Sequence, residues 1–251
     1  MQTNQGLAKL RAGGVTSGPI LSFDSADLAE QVARMGFDWV WLDWQHGQWT
    51  EHTINNAIAR FLGQATVPIV RVKGHEPGTI NRVLDMGAMG IVVPMVQDAD
   101  QARAAVQATY YTPAGMRSGG GMRLGLIGDD GDYYAKANDE IMLVVMVETE
   151  EAIANVTSIM EVPGVDAVLI GPGDLMFDVK AHGHDEAHHE SLVLQVAAAG
   201  KQTGAAAGYV CATREDSEQR LAEGFRFIQY ASDTKLMQAS FQQVRDDSRD
   251  W

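Results

Sequence analysis

Eight short runs rich in Val, Ile, Leu and Trp alternate along the chain with longer amphipathic stretches, and this rhythm restricts the fold more than any other feature. The runs occupy residues 15–23, 38–44, 68–73, 90–96, 141–148, 166–171, 204–210 and 225–230. Apolar runs of that length, separated by helical periodicity, mark strands buried on both faces of a parallel sheet. Segments such as SADLAEQVARMG and TREDSEQRLAEG read as the intervening helices. Gly36, Gly63, Gly87, Gly204 and Gly224 stand just past a last helical turn, where a left-handed residue closes a helix. Ser25, Asp98, Thr149 and Thr213 stand where N-caps belong. Eight strand–helix units in 251 residues, with no linker, predict a single (β/α)8 TIM barrel spanning residues 1–251. A doubly wound sheet is the alternative, and it usually has fewer strands at this length.

Two segments break the rhythm. Residues 112–140, rich in glycine, form an excursion between the fourth helical pattern and the fifth strand. Residues 172–190 follow the sixth strand and leave from a C-terminal strand end, where barrel enzymes place their chemistry. The first excursion is long enough to wrap back over the same rim.

The polar residues fall at those ends. Strand two ends in LDWQHG with Asp43 and His46; strand three carries Arg71; strand five ends at Glu148; strand six runs into IGPGDL with Asp174. Each has a plainer reading: Asp43 as the cap of a turn, His46 as a loop histidine, Arg71 as half of a structural ion pair. Glu148 suits a helix start, and Asp174 an Asx turn. Five such groups at one rim are costly as packing residues unless paired or liganded. Glu148 and Asp174, without Cys or His beside them, suit a hard divalent ion such as Mg²⁺ or Mn²⁺. With Arg71 to stabilise an oxyanion and His46 to move a proton, the set points to chemistry next to a carbonyl.

Charge narrows the partners. With 33 Asp+Glu against 19 Lys+Arg the net charge is −14, which repels a phosphate backbone and argues against nucleic acid. One cysteine, Cys211, excludes an internal disulfide and a Cys-based zinc site. The first residues, MQTNQGLAKLRAGG, lack the apolar core of a signal peptide, and no run approaches membrane-spanning length. The expectation is a soluble, cytoplasmic protein with no membrane partner.

The ordered set DWVWLDWQHG, PIVRVKG, LDMGAMGIVVPMV, YYTPAGMRS, ETEEAIANV and PGVDAVLIGPGDL resembles the HpcH/HpaI aldolase family, over residues 6 to 235 or thereabouts. These are metal-dependent (class II) pyruvate aldolases of the 4-hydroxy-2-oxoheptanedioate aldolase type. The resemblance implies reversible cleavage of 2-oxo-4-hydroxy acids to pyruvate and an aldehyde, through a pyruvate enolate on a divalent metal (Mg²⁺, Mn²⁺ or Co²⁺). Pyruvate or hydroxypyruvate is the implied donor. Carried over by position, it makes His46 the acid/base, Arg71 the enolate stabiliser and Asp85 the residue that raises the basicity of His46. Glu148 and Asp174 become metal ligands, and the backbone at Gly173 meets the substrate carboxylate. It also implies a hexamer, a trimer of dimers that exchange a C-terminal helix.

The sequence departs from that pattern in places. Met146 stands where many relatives place a substrate-binding Gln, Gln45 replaces an acidic residue, and GPGDLM with Met176 replaces GPxDLS. The GPGDLM loop and YYTPAGMRS are closer to the macrophomate-synthase branch, a decarboxylating, C–C bond-forming relative. That chemistry and a citryl- or malyl-CoA-type lyase are the alternative activities; a non-catalytic metabolite-binding barrel is the alternative of another class.

Other signals carry less. His182, His184, His188 and His189 invite a second metal site but read more simply as a solvated loop. SGGGMRLG matches no phosphate loop and reads as a flexible cover. Lys73 is the candidate Schiff-base lysine of a class I aldolase, a role made redundant by the carboxylate pair. Trp39, Trp41 and Trp44 read as packing. Leu236, Met237, Phe241 and Val244 give the last helix an apolar stripe suited to a neighbouring subunit.

Overall fold

Strands buried on both faces need cover on both sides, and a closed barrel ringed by helices supplies it. In the computed structural model, which describes residues 1–128, 130–249 and 251, all eight runs form parallel strands that close in sequence order. In chain order the elements begin with α1 (Gln5–Arg11), β1 (Thr16–Leu21), α2 (Ala26–Ala33), β2 (Trp39–Asp43), α3 (Glu51–Ala59), β3 (Val67–Arg71), α4 (Pro77–Asp85), β4 (Gly90–Val93) and α5 (Ala99–Thr109). They continue with α6 (Leu124–Ile127), α7 (Asp130–Glu140), β5 (Met142–Val147), α8 (Glu150–Ala154), α9 (Val156–Met160), β6 (Ala167–Ile170) and α10 (Pro172–Ala181). The last are α11 (Glu186–Thr203), β7 (Ala206–Cys211), α12 (Arg214–Glu223), β8 (Phe227–Ser232) and α13 (Asp233–Asp247).

The local signals act as expected. Ser25, Asp98, Thr149 and Thr213 each accept the backbone N–H three residues on. The five closing glycines all have positive φ, from 76° at Gly63 to 106° at Gly224. Among the described residues no helix is long and apolar enough to cross a membrane.

Side chains alternate between two cores. Trp39 and Trp41 of β2, Val67 and Ile69 of β3, Met142, Val144 and Met146 of β5, and Ala167 and Leu169 of β6 fill the barrel. Trp39 stacks on Phe227 with ring centroids 4.4 Å apart. Leu7 and Leu10 of α1 join that cluster and close the barrel floor. The remaining apolar side chains pack strands against helices. Trp44 belongs there, so it does not continue the inward alternation of Trp39 and Trp41.

The excursions differ from expectation. Residues 172–190 are not a long loop: α10 fills most of the segment, because Pro172 starts a helix whose missing N–H costs nothing at that position. Residues 112–140 contain α6 and α7. The glycine run of that segment lies beside Asp85, with Gly121 against its Cβ, and does not cover the strands' C-terminal mouth. The stretch TEEAIANVTSIMEV splits into α8 and α9 at Asn155, whose side chain donates to the Gln97 carbonyl.

Candidate active site

The same alternation that fills the barrel decides which polar groups enter it. Asp43 continues the inward series of Trp39 and Trp41, Arg71 that of Val67 and Ile69, and Glu148 that of Val144 and Met146. Parallel pairing sets Asp43 directly beside Arg71, and Val147 beside Ile170, which carries Glu148 level with Gly171. The C-terminal mouth is lined by His46, Arg71, Met146, Glu148, Gly171, Gly173 and Asp174, around a cavity of about 320 Å³.

Arg71 is held in place before any ligand arrives. Its Nε and Nη2 donate to the two carboxylate oxygens of Asp43, each at 2.7 Å. The guanidinium lies over the Trp41 ring at 5.1 Å. Nη1 is left facing the Met146 sulfur at 4.0 Å, at the floor of the mouth. Asp43 therefore does what the plainer readings expected: it pairs with Arg71 and accepts the His46 backbone N–H at 3.4 Å. That makes it the joint that fixes His46 relative to Arg71. The imidazole of His46 is exposed at the mouth.

Glu148 is 2% exposed and accepts the Met95 backbone N–H at 2.8 Å. Met95 has φ 55°, a costly conformation for a side chain of that size, and it aims this N–H at the carboxylate. Burial, with the neighbouring Asp174 carboxyl, pushes the Glu148 pKa up to about 7, against the pull of the Met95 N–H. A methyl group on Gly171 would overlap Glu148 Oε1, so only glycine admits the carboxylate here. Two facing carboxylates with so few protein donors are an all-oxygen set that a hard divalent ion fits. Asp174 is the third residue of α10, and Gly173 the second, so both stand in its open first turn.

The other candidates lie elsewhere. Asp85 ends α4, which returns from the mouth to the opposite end of the barrel, and there it accepts Arg117 Nη2 at 2.8 Å. Asp85 and His46 therefore do not meet within one chain. Lys73 is exposed, with its ammonium over the Trp44 ring at 4.7 Å, away from the mouth. His189 is buried and its pKa is lowered by burial, whereas His182, His184 and His188 gather near Glu150.

Sequence reading missed Lys235 and Cys211, which also line the mouth. Lys235 follows β8 closely, so the strand-end rule applied to the last unit would have found it. Burial pushes the Cys211 thiol up to about 11, so it is not a thiolate nucleophile at neutral pH. Met95 left no signal in its side chain, because its contribution is a backbone N–H.

The comparisons bear on the family and the fold. Residues 20–239 match the family model described as HpcH/HpaI aldolase/citrate lyase. The chain is 35% identical over 237 residues to 4-hydroxy-2-oxo-heptane-1,7-dioate aldolase of Escherichia coli (strain ATCC 8739), spanning 92% of this chain and 89% of that one. A solved HpcH/HpaI aldolase/citrate lyase family protein from Burkholderia cenocepacia J2315 superposes with a TM-score of 0.91 at 29% identity, covering 98% and 100% of the two chains. Macrophomate synthase has a TM-score of 0.85 over 98% and 90%, and at 23% identity the likeness is one of fold. With the family model matched over residues 20–239 and a curated relative aligned over 92% of the chain, this chain belongs to the HpcH/HpaI aldolase/citrate lyase family.

Proposed function

We propose that the chain is a class II pyruvate aldolase, cleaving 2-oxo-4-hydroxy acids reversibly to pyruvate and an aldehyde. The observation that carries this reading is the convergence of Arg71, the Glu148–Asp174 pair and His46 on one mouth. Glu148 and Asp174 would hold Mg²⁺, Mn²⁺ or Co²⁺, which supplies Lewis-acid polarisation of the keto oxygen. The first turn of α10, with the Gly173 N–H, receives the substrate carboxylate. His46 takes the proton of the aldol hydroxyl as the C3–C4 bond breaks and the electron pair moves toward the C2 oxygen. Arg71 Nη1 stabilises the charge that develops there. Trp41 and Met146 form an apolar floor that keeps water from that charge. Since Met146 offers no amide where relatives offer one, the substrate loses a polar contact, and donors including hydroxypyruvate are compatible with the site.

The test is solvent deuterium entering the methyl group of pyruvate with Mg²⁺ or Mn²⁺ present, alongside cleavage of a 2-oxo-4-hydroxy acid. Both are expected. Borohydride trapping of pyruvate on Lys73, or exchange unaffected by chelator, would overturn the reading.

The carboxylate pair also predicts a pH-dependent response to metal. Glu148, raised from 4.5 to about 7, keeps its proton to higher pH in the folded than in the unfolded chain. Stability of the metal-free protein therefore falls as pH rises through that window, by about 3 kcal/mol in full. A divalent ion binds the ionised pair and offsets this. Mn²⁺ should thus raise Tm more at pH 8 than at pH 5.5, as read by scanning calorimetry; an equal rise at both would count against Glu148 as a ligand.

Assembly follows from α13. Leu236, Met237, Phe241 and Val244 are exposed there, and an apolar groove of about 490 Å³ beside them is lined by Leu21, Phe23, Leu28, Val32, Met35 and Phe37, among others. Stripe and groove on one chain suit reciprocal contact with a second copy, the building block of the expected hexamer. Asp85 can act on His46 only across such a boundary. Phe241→Asp is expected to lower the mass found by light scattering. A native chain already monomeric at micromolar concentration would sink the idea.

A further inference from the structure

A second convergence of ligand-type side chains lies outside the mouth. Glu150 opens α8, His184 lies in the short connection between α10 and α11, and His188 is on the first turn of α11. One ligand atom from each lies within 4.8 Å of the others. His184 Nδ1 is 2.8 Å from Glu150 Oε1, and His188 Nε2 is 3.5 Å from the same oxygen. Ligands at 2.0–2.1 Å around a tetrahedral ion stand about 3.3 Å apart, so the two separations bracket that spacing. The imidazole centroids are 4.1 Å apart.

One further feature points to an ion rather than a polar surface cluster. His188 Nε2 is buried and has no hydrogen-bond partner, an unusual state for an imidazole nitrogen facing a carboxylate. Asp178 of α10 accepts the Glu150 backbone N–H at 2.8 Å, which ties the start of α8 to α10 beside the cluster.

We propose that Glu150, His184 and His188 form a second metal site for an ion of the zinc class, with water completing the coordination. Two imidazoles and one carboxylate favour Zn²⁺, Co²⁺ or Ni²⁺ over Mg²⁺, the reverse of the all-oxygen pair at Glu148 and Asp174. The site joins two separate stretches of chain, one at Glu150 and one running from His184 to His188. It clamps the start of α8, immediately after the Glu148 strand end, to α11, and this role does not depend on the aldolase reading.

The experiment is calorimetric titration of the tag-free, full-length protein with ZnCl₂ in saturating Mg²⁺, which occupies the oxygen site. One zinc ion per chain is expected. Its affinity should fall by at least about 10–100-fold in His184→Ala and in His188→Ala, the loss that even outer-shell changes produce. Asp174→Asn should leave it unchanged. Zinc-edge X-ray absorption should show two imidazoles. His184 is exposed and His188 half-buried, and circular dichroism in zinc-free buffer checks the fold of each variant; if one misfolds, Glu150→Gln must show the same loss. Absence of zinc binding in Mg²⁺, binding lost in Asp174→Asn but kept in the histidine variants, or a spectrum with fewer than two imidazoles would each overturn the site.

Discussion

Arg71→Ala is expected to slow every reaction that passes through the enolate by about 10²–10³, roughly 3–4 kcal/mol of transition-state stabilisation. The reason is geometric. Two of its nitrogens grip Asp43, so the guanidinium cannot swing away, and Nη1 is the nitrogen that makes no bond to Asp43 and meets the developing charge. The ring of Trp41 beneath it further limits its motion. Removing Arg71 also leaves Asp43, 3% exposed, without its counter-ion, and breaking a buried pair in this way costs about 3–5 kcal/mol of stability. The rates must therefore be read well below the variant's Tm. Arg71→Lys provides the control: it keeps the charge but cannot grip both oxygens of Asp43, so it should recover stability better than turnover. Methyl exchange of pyruvate and aldol cleavage are the two measurements, and both should fall together. Near-native exchange in folded Arg71→Ala would remove Arg71 from its assigned role.

The sequence carried the barrel because its signals are local and repeated. Strand runs, capping residues and closing glycines each act within a few residues of themselves, and eight units average out an error in any one. The site was legible for a related reason: a residue at a strand's C-terminal end must stand at the mouth, whatever the rest of the chain does. Asp43, Arg71 and Glu148 were all found by that rule. What escaped depends on distance in sequence or on backbone. The bidentate grip of Asp43 on Arg71 follows from the register of β2 with β3, which no local pattern specifies. Asp85 lies on a helix that returns to the far end of the barrel, where it pairs with Arg117, and its place in a motif carries no sign of that direction. The segment after β6 breaks the strand–helix rhythm in sequence yet forms α10, because Pro172 stands at the first helical position, where its missing N–H costs nothing. The histidines beyond it read as solvated until α10 and α11 brought two of them to Glu150.

His46→Ala should separate from Arg71→Ala in kinetics rather than in size alone. A side chain that moves a proton in the transition state is worth about 10²–10⁴, so aldol cleavage is expected to fall by that factor. The proton in question belongs to the hydroxyl of the departing aldehyde. Pyruvate alone has no such hydroxyl, and its methyl proton can pass to solvent, so methyl exchange should survive the substitution. Stability should hardly change, because the imidazole is exposed and its backbone tie to Asp43 persists in alanine. The pattern expected is thus cleavage lost and exchange kept for His46→Ala, against both lost for Arg71→Ala. Asp43 makes the contrast sharper. It accepts from the backbone of the first residue and the side chain of the second, so Asp43→Asn should disturb both measurements at once. If His46→Ala instead abolishes exchange as fully as cleavage, the histidine acts on the pyruvate methyl group, and the proton on the aldehyde side must be moved by something else at the mouth.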